Sequence, residues 1–434
     1  MLSRKPAVYV ALGLVLLLVT VMARFTSADD SRASSAVGVI AFKRGHEIRL
    51  VNSDGTNDRQ LWKAPLPDAT FRGIRGLQWR PDGAALAFAS DYQQLCSTYE
   101  SDIYTINAAG GDLKRLTNSP LCAGLAGFSK GTVKIEVENQ TTESQFLIFV
   151  EGAPTAELIT INPGAAVVVT FSGVADLGNI QQQVVLINGR KRWYDPAVFA
   201  DIKAGQTVSA STRFVLTGTN VYSNFGATYP SWHRTGTKVG FLFYEGLLTQ
   251  IGANPPISSG DSLILGQNAG VIADSLAWSP ASDWILYSSS DHISLVQPGA
   301  SDGGTPLINK EAYELVLGLD WMPDESGFVF AITGGQFGEE NSNIYAYEFD
   351  PDGDKLTPLT DFKDEFAGGL TISPNGQKIV FEFADDPGDP PQLWIMNIDG
   401  SGRKPLGIQG EMPDWRPGTG INYNHHVFLP MNIR

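Results

Sequence analysis

One tight turn followed by one short apolar strand recurs down this chain, and its spacing limits the folds open to it. Trp79-Arg80-Pro81-Asp82-Gly83 leads into Leu86-Ala87-Phe88-Ala89, and Trp278-Ser279-Pro280 into Trp284-Ile285-Leu286-Tyr287. Trp321-Met322-Pro323-Asp324 precedes Phe328-Val329-Phe330, and Ile372-Ser373-Pro374-Asn375-Gly376 precedes Ile379-Val380-Phe381. A weaker copy, Trp232-His233-Arg234-Thr235-Gly236, comes before Val239-Gly240-Phe241, and a truncated one, Trp415-Arg416-Pro417-Gly418, stands near the end. From Trp232 onward the anchors fall 46, 43, 51 and 43 residues apart. A four-stranded propeller blade needs roughly 40 to 45 residues.

A second signature follows the first strand in the better repeats: Asp102-Ile103-Tyr104-Thr105-Ile106-Asn107, Asn343-Ile344-Tyr345-Ala346-Tyr347 and Gln392-Leu393-Trp394-Ile395-Met396-Asn397. Each then reaches a turn and a short closing strand, as in Lys114-Arg115-Leu116-Thr117, Pro358-Leu359-Thr360 and Lys404-Pro405-Leu406. At the N-terminal side, Val37 to Phe42, Glu47 to Asn52 and Arg59 to Trp62 read as strands that match the tail of a repeat without its front. The missing front is Trp415-Arg416-Pro417, so one blade is expected from both ends of the chain. Counting it gives six blades.

These turns, the Asp-Ile-Tyr strand, the hairpin Asp399-Gly400-Ser401-Gly402 and the closing Leu-Thr resemble the WD40-like repeats of TolB-type propellers. The resemblance covers residues 37–124 and 220–418, and it implies a disc that engages partners through one face. The fold class expected is therefore all-β, a six-bladed β-propeller closed by its terminal strands.

Between the second and third blades the period breaks, because Trp79 and Trp232 stand 153 residues apart. The surplus holds its own strands: Val133 to Val137, Gln145 to Val150, Ala165 to Phe171, Gln183 to Ile187 and Thr207 to Ser211. Asn162-Pro163-Gly164, Asn188-Gly189 and Ala204-Gly205-Gln206 punctuate them. Short strands at this spacing predict a small β-sandwich inserted over residues 130–218. Its own apolar alternation argues against a single long lid.

Residues 1–28 stand apart. Arg4 and Lys5 precede an apolar run from Ala7 to Ala23, with small residues at Val21-Met22-Ala23 and Thr26-Ser27-Ala28, which reads as a secretory signal or an uncleaved anchor. The expected body is extracytoplasmic, whether secreted, periplasmic or held at a membrane, with membrane contact only through that segment if it is uncleaved. The two cysteines, Cys96 and Cys122, suit that compartment as a disulfide. A net charge of −15 argues against nucleic acid and anionic lipid as partners.

Candidate chemistry is sparse. Gly127-Phe128-Ser129-Lys130-Gly131 has the spacing of a hydrolase elbow, yet a strand follows it where a helix is required. His46, His233, His292, His425 and His426 lack the helical spacing of paired metal ligands. Asp350-Pro351-Asp352-Gly353-Asp354 and Asp385-Asp386-Pro387-Gly388-Asp389 read as acidic hairpin turns. No catalytic residue, cofactor or metal is expected, and the chain is read as not an enzyme. The residues that stand out are the structural anchors: Trp79, Pro81, Asp82, Gly83, Trp232, Trp278, Pro280, Trp321, Pro323, Ser373, Pro374, Gly376, Trp415 and Pro417. The function expected is a monomeric protein-binding or scaffold module with a partner in the cell envelope or extracellular space. The alternative is a propeller-type polysaccharide lyase with histidines and a metal at its central channel. Residues 419–434 form a tail without an assigned role.

Overall fold

Each anchor closes a strand in the computed structural model, which describes residues 38–64, 73–92, 101–117, 127–154, 157–176, 182–188, 191–217, 226–243, 247–252, 262–263, 273–311, 314–334 and 341–418. The chain is all-β, and among the described residues there is no α-helix. Six of the sheets contain four strands in simple meander order. Sheet 1 begins with Ile74–Trp79, sheet 2 with Thr228–Trp232, sheet 3 with Ala273–Trp278, sheet 4 with Val316–Trp321 and sheet 5 with Phe366–Ile372. In sheet 6 the first strand is Glu411–Trp415, which pairs antiparallel with Val39–Arg44, followed by Glu47–Asn52 and Arg59–Lys63. Ile40 lies opposite Trp415 and Lys43 opposite Glu411, so residues from the two ends of the sequence share one sheet.

The turns after four of the anchors repeat one geometry. Gly83, Gly236 and Gly376 take φ of +66°, +65° and +71°, and each amide donates to the carbonyl three residues earlier. A left-handed position of this kind favours glycine because a Cβ crowds the following carbonyl. Sheet 4 has Glu325 there instead, at φ +58°. Its carboxylate accepts a hydrogen bond from the Ser279 hydroxyl on the turn of sheet 3, so the strained residue ties two neighbouring turns together.

No sheet buries its faces alone. Ala87, Ala89 and Ile103 of sheet 1 pack with Trp232, Val239 and Phe241 of sheet 2. Leu242 of sheet 2 joins the core of sheet 3, Leu286 and Leu295 of sheet 3 meet Trp321 and Phe328 of sheet 4, and Val329 and Ile344 of sheet 4 meet Leu370 and Phe381 of sheet 5. Val380 and Leu393 of sheet 5 pack with Ile40, Phe42 and Trp415 of sheet 6, and Ala41 and Leu50 of sheet 6 with Trp79 and Phe88 of sheet 1. The succession of cores returns to its start. This is propeller topology, stabilised by apolar area buried between neighbours at about 25 cal/mol per Å².

Residues 130–216 are built differently. Lys130–Asn139, Ala166–Ala175, Thr207–Ser209 and Phe214–Leu216 form one sheet, and Gln145–Val150, Glu157–Thr160, Gln182–Asn188 and Lys191–Ala197 another. Both sheets feed one core of Val133, Ile135, Phe171, Phe146, Ile148 and Trp193 among others, and that core takes in no residue of the six meander sheets. Three of its strands, Glu157–Thr160, Lys191–Ala197 and Phe214–Leu216, are absent from the sequence reading. The expected leader at 1–28, Cys96, Cys122 and the tail at 419–434 lie outside the described residues.

Candidate functional site

The first strands of the six sheets touch one another in a closed cycle, and their anchors converge on a single axis. A first strand is an edge of its own sheet, so its outer backbone N–H groups need partners from elsewhere. The residue directly before each anchor supplies them. The Ser231 hydroxyl accepts from the Trp278 amide at 2.8 Å, Asp320 Oδ2 from the Ile372 amide at 2.8 Å, and the Thr371 hydroxyl from the Trp415 amide at 3.2 Å. Gln78 Oε1 accepts from the Trp232 amide and Asp414 Oδ2 from the Trp79 amide. Ala277 breaks the ring, having no acceptor, and there Asp320 Oδ1 takes the Trp321 amide of its own strand at 2.9 Å. Polar side chains thus stitch each sheet to the next around the axis.

Two cavities lie on this axis. One, about 100 Å³, is ringed by the anchors and by the residues two places after them, which are prolines except for Arg234. The other, about 110 Å³, lies at the level of Gly76, Tyr229, Ser275, Gly318, Gly369 and Met412, three places before the anchors. Both fall below the roughly 300 Å³ at which small-molecule pockets begin. The lining residues they share are Gln78, Asp320 and Asp414, which therefore form the waist of the channel.

The waist is acidic and unneutralised. Burial pushes Asp320 up to about 6. Burial, and then the charge of Asp320, raises Asp414 well above the ordinary carboxylate range. Among the residues that line the two cavities the one cation is Arg234, at the rim of the first, and it pairs with Asp283 at 3.2 Å and not with either acid. Both residues are half-buried and keep part of their surface on the narrow channel, which screens charge less than bulk solvent. A third acid, Glu382, is pushed by burial up to about 7 and accepts the Met412 amide at 2.6 Å. Its carboxylate lies against the backbone of Gly368 and Gly369, where a Cβ would approach within 2.9 Å of it.

The end of the second cavity away from the waist carries backbone strain. Tyr229 at φ +49° and Met412 at φ +53° occupy the left-handed position that Gly76 holds at +85° in sheet 1. Such outliers persist only where surrounding structure holds them. Tyr229 is 41% exposed. The chain leaves sheet 1 at Thr117, bonded to Asp102, and returns at Ala227, whose amide donates to the Ser101 carbonyl at 2.9 Å. Ala227 lies two residues before Tyr229.

The tryptophan anchors are core residues, with Trp79 2% exposed and Trp415 8%. Pro81, Pro280, Pro323, Pro374 and Pro417 rim the first cavity, while Asp82 and Gly83 shape their own turn through the Arg80–Asp82 pair and the Ala84 amide. Ser373 caps its turn by accepting from the Gln377 and Lys378 amides. His233 lies in the turn of sheet 2, with Nε2 2.9 Å from Asp283, whereas His292 opens a later strand of sheet 3 beside Asp291. Among the described residues no group of three or more His, Cys, Asp or Glu side chains is placed to hold a metal. The waist acids escaped the sequence reading. Their signal was an ionisable residue directly before a tryptophan anchor.

No family model and no curated protein matches the chain. Solved structures do. A chain of a nidogen/laminin complex has a TM-score of 0.46 at 9% identity, covering 87% of this chain and 98% of that one. A structure described as a TolB of Agrobacterium tumefaciens has a TM-score of 0.29 at 12% identity, over 87% of this chain and 92% of that one. An oligogalacturonate lyase in complex with manganese has 0.34 at 12%, over 85% and 83%. The lyase corrects one expectation. The similar structures also include two described as 6-phosphogluconolactonases, so the reading of the chain as not an enzyme is withdrawn.

Proposed function

We propose that this chain is an exported six-bladed β-propeller, its first blade completed by both ends of the sequence, that binds a protein partner. The binding surface is the Tyr229 end of the channel together with a β-sandwich inserted between blades 2 and 3. The observation that supports this reading most is the coincidence at one end of the axis: strained Tyr229 and Met412 with an acid-lined channel behind them, Tyr229 standing two residues after the chain returns to sheet 1 at Ala227. Strain at a mouth is tolerated where it shapes a contact surface. The body acts outside the cytoplasm as a monomer, tethered to a membrane if the N-terminal segment is uncleaved.

The test is affinity capture from a cell-envelope extract by residues 29–434, in parallel with the same chain lacking 127–217. Saturable capture of a defined protein that the shortened chain loses is the expected result. Failure of both chains to retain any protein overturns the reading. So does metal-dependent glycan turnover that the His233→Ala variant abolishes.

A further inference from the structure

The geometry points to the second cavity as a socket for one lysine side chain of a protein partner, inserted from the Tyr229 end with its ammonium at the Asp320–Asp414 waist. This deepens the proposed protein-binding function and rests on it.

The cavity has the two halves such a side chain needs. Its walls are apolar, with Pro230, Leu317, Leu370 and Met412 forming a sleeve for a methylene stem. Gly76 and Gly318 let the wall strands approach closely, because a Cβ at either would come within 2.8 Å of the adjoining strand. Its floor is two carboxylates that form no ion pair among the described residues, Arg234 of the first cavity being paired with Asp283, in a protein of net charge −15. Ser275 lines the same wall, 7% exposed, and its hydroxyl has no partner among the described residues.

Calcium fits less well. Asp320 already accepts from the Trp321 and Ile372 amides and from Thr371, leaving too few free oxygens for the six to eight that calcium takes. An ammonium is a compact cation with three donors on a flexible stem, whereas a planar guanidinium requires a wider floor. Without a guest, burial and mutual repulsion favour a proton on the acid pair. A lysine replaces that proton, so its binding weakens as pH falls.

The test titrates residues 29–434 with Nα-acetyl-lysine methylamide, its norleucine and arginine counterparts, and calcium chloride, following tryptophan fluorescence. Saturable binding of the lysine probe, absent for norleucine and weakened about tenfold between pH 8 and pH 5, is expected. The D320N/D414N double variant should bind it at least about tenfold more weakly, since the amide oxygens can still accept the Ile372 and Trp79 amides. Equal binding of norleucine, tighter binding of arginine or calcium, or a pH-independent lysine affinity overturns the assignment. The pH arm uses the unaltered chain and so stands even if the double variant misfolds. If the double variant still captures the envelope partner, the socket is wrong while the binding function survives.

Discussion

The six meander sheets and residues 130–216 bury apolar side chains in opposite ways. Every core among the six sheets is shared by two neighbours, so each sheet is stable only while the ring is closed. The two sheets of residues 130–216 enclose one core between themselves and borrow nothing from the ring. The difference teaches where damage travels: around the whole ring in the first region, and no further than one core in the second.

Truncation after residue 408 attacks that contrast most directly. It removes Glu411–Trp415, strips the Asp414 bond from Trp79, and bares the edges of Val39–Arg44 and the cores holding Phe42 and Phe88. Loss of the cooperative transition of the ring, with aggregation through the bared edges, is expected by calorimetry and size exclusion. An unchanged melting temperature breaks the idea that closure matters.

A core mutation in the other region comes next. Trp193 is 4% exposed, packs edge-on against Phe146 at 5.5 Å and donates from its indole to the Thr217 carbonyl at 2.9 Å. Trp193→Ala should destabilise residues 130–216 by about 3–5 kcal/mol and leave the ring transition where it was. If both transitions shift together, the two regions share a core.

Acidity separates the regions more gently. Asp320, Asp414 and Glu382 have raised values, so the native ring holds protons that the unfolded chain releases. Their stabilisation is complete below about pH 4 and is lost as pH rises through about 6 to 7. Ring melting should therefore fall between pH 5 and pH 8, with Glu382 alone contributing up to about 3 kcal/mol. Residues 130–216 bury no acid among the described residues and should melt at a steady temperature over that range. A Glu382→Gln variant, which keeps an acceptor for the Met412 amide, should flatten the ring profile. A ring transition that rises with pH sinks this account.

The smallest effect expected is deletion itself. Removing residues 127–217 should move the ring transition by less than about 1 kcal/mol, because no ring core loses a member. An insoluble product contradicts the separation of the regions.

Much of the ring was legible because its turns carry chemistry at fixed offsets. Pro81, Gly83, Pro374 and Gly376 announce the turn, and the tryptophans mark where each first strand ends. The segment at 130–216 was legible as β-structure but not in detail. Lys191–Ala197 carries Asp195-Pro196 and charged residues that break its apolar pattern, and Phe214–Leu216 is too short to show alternation. Glu325 was hidden as well, since its left-handed turn is held by Ser279, which lies 46 residues earlier.

Local order was therefore written into the chain: strand, turn and repeat length follow from side-chain alternation and from residues that restrict a few dihedrals. The channel was not. Gln78, Ser231, Asp320, Thr371 and Asp414 become one ring only when six edge strands meet on an axis and their amides need acceptors. Asp320 and Asp414 stand far apart in sequence, and only closure brings them close enough for each to oppose the ionisation of the other. Their acidity is a property of burial and proximity, which no stretch of sequence possesses by itself.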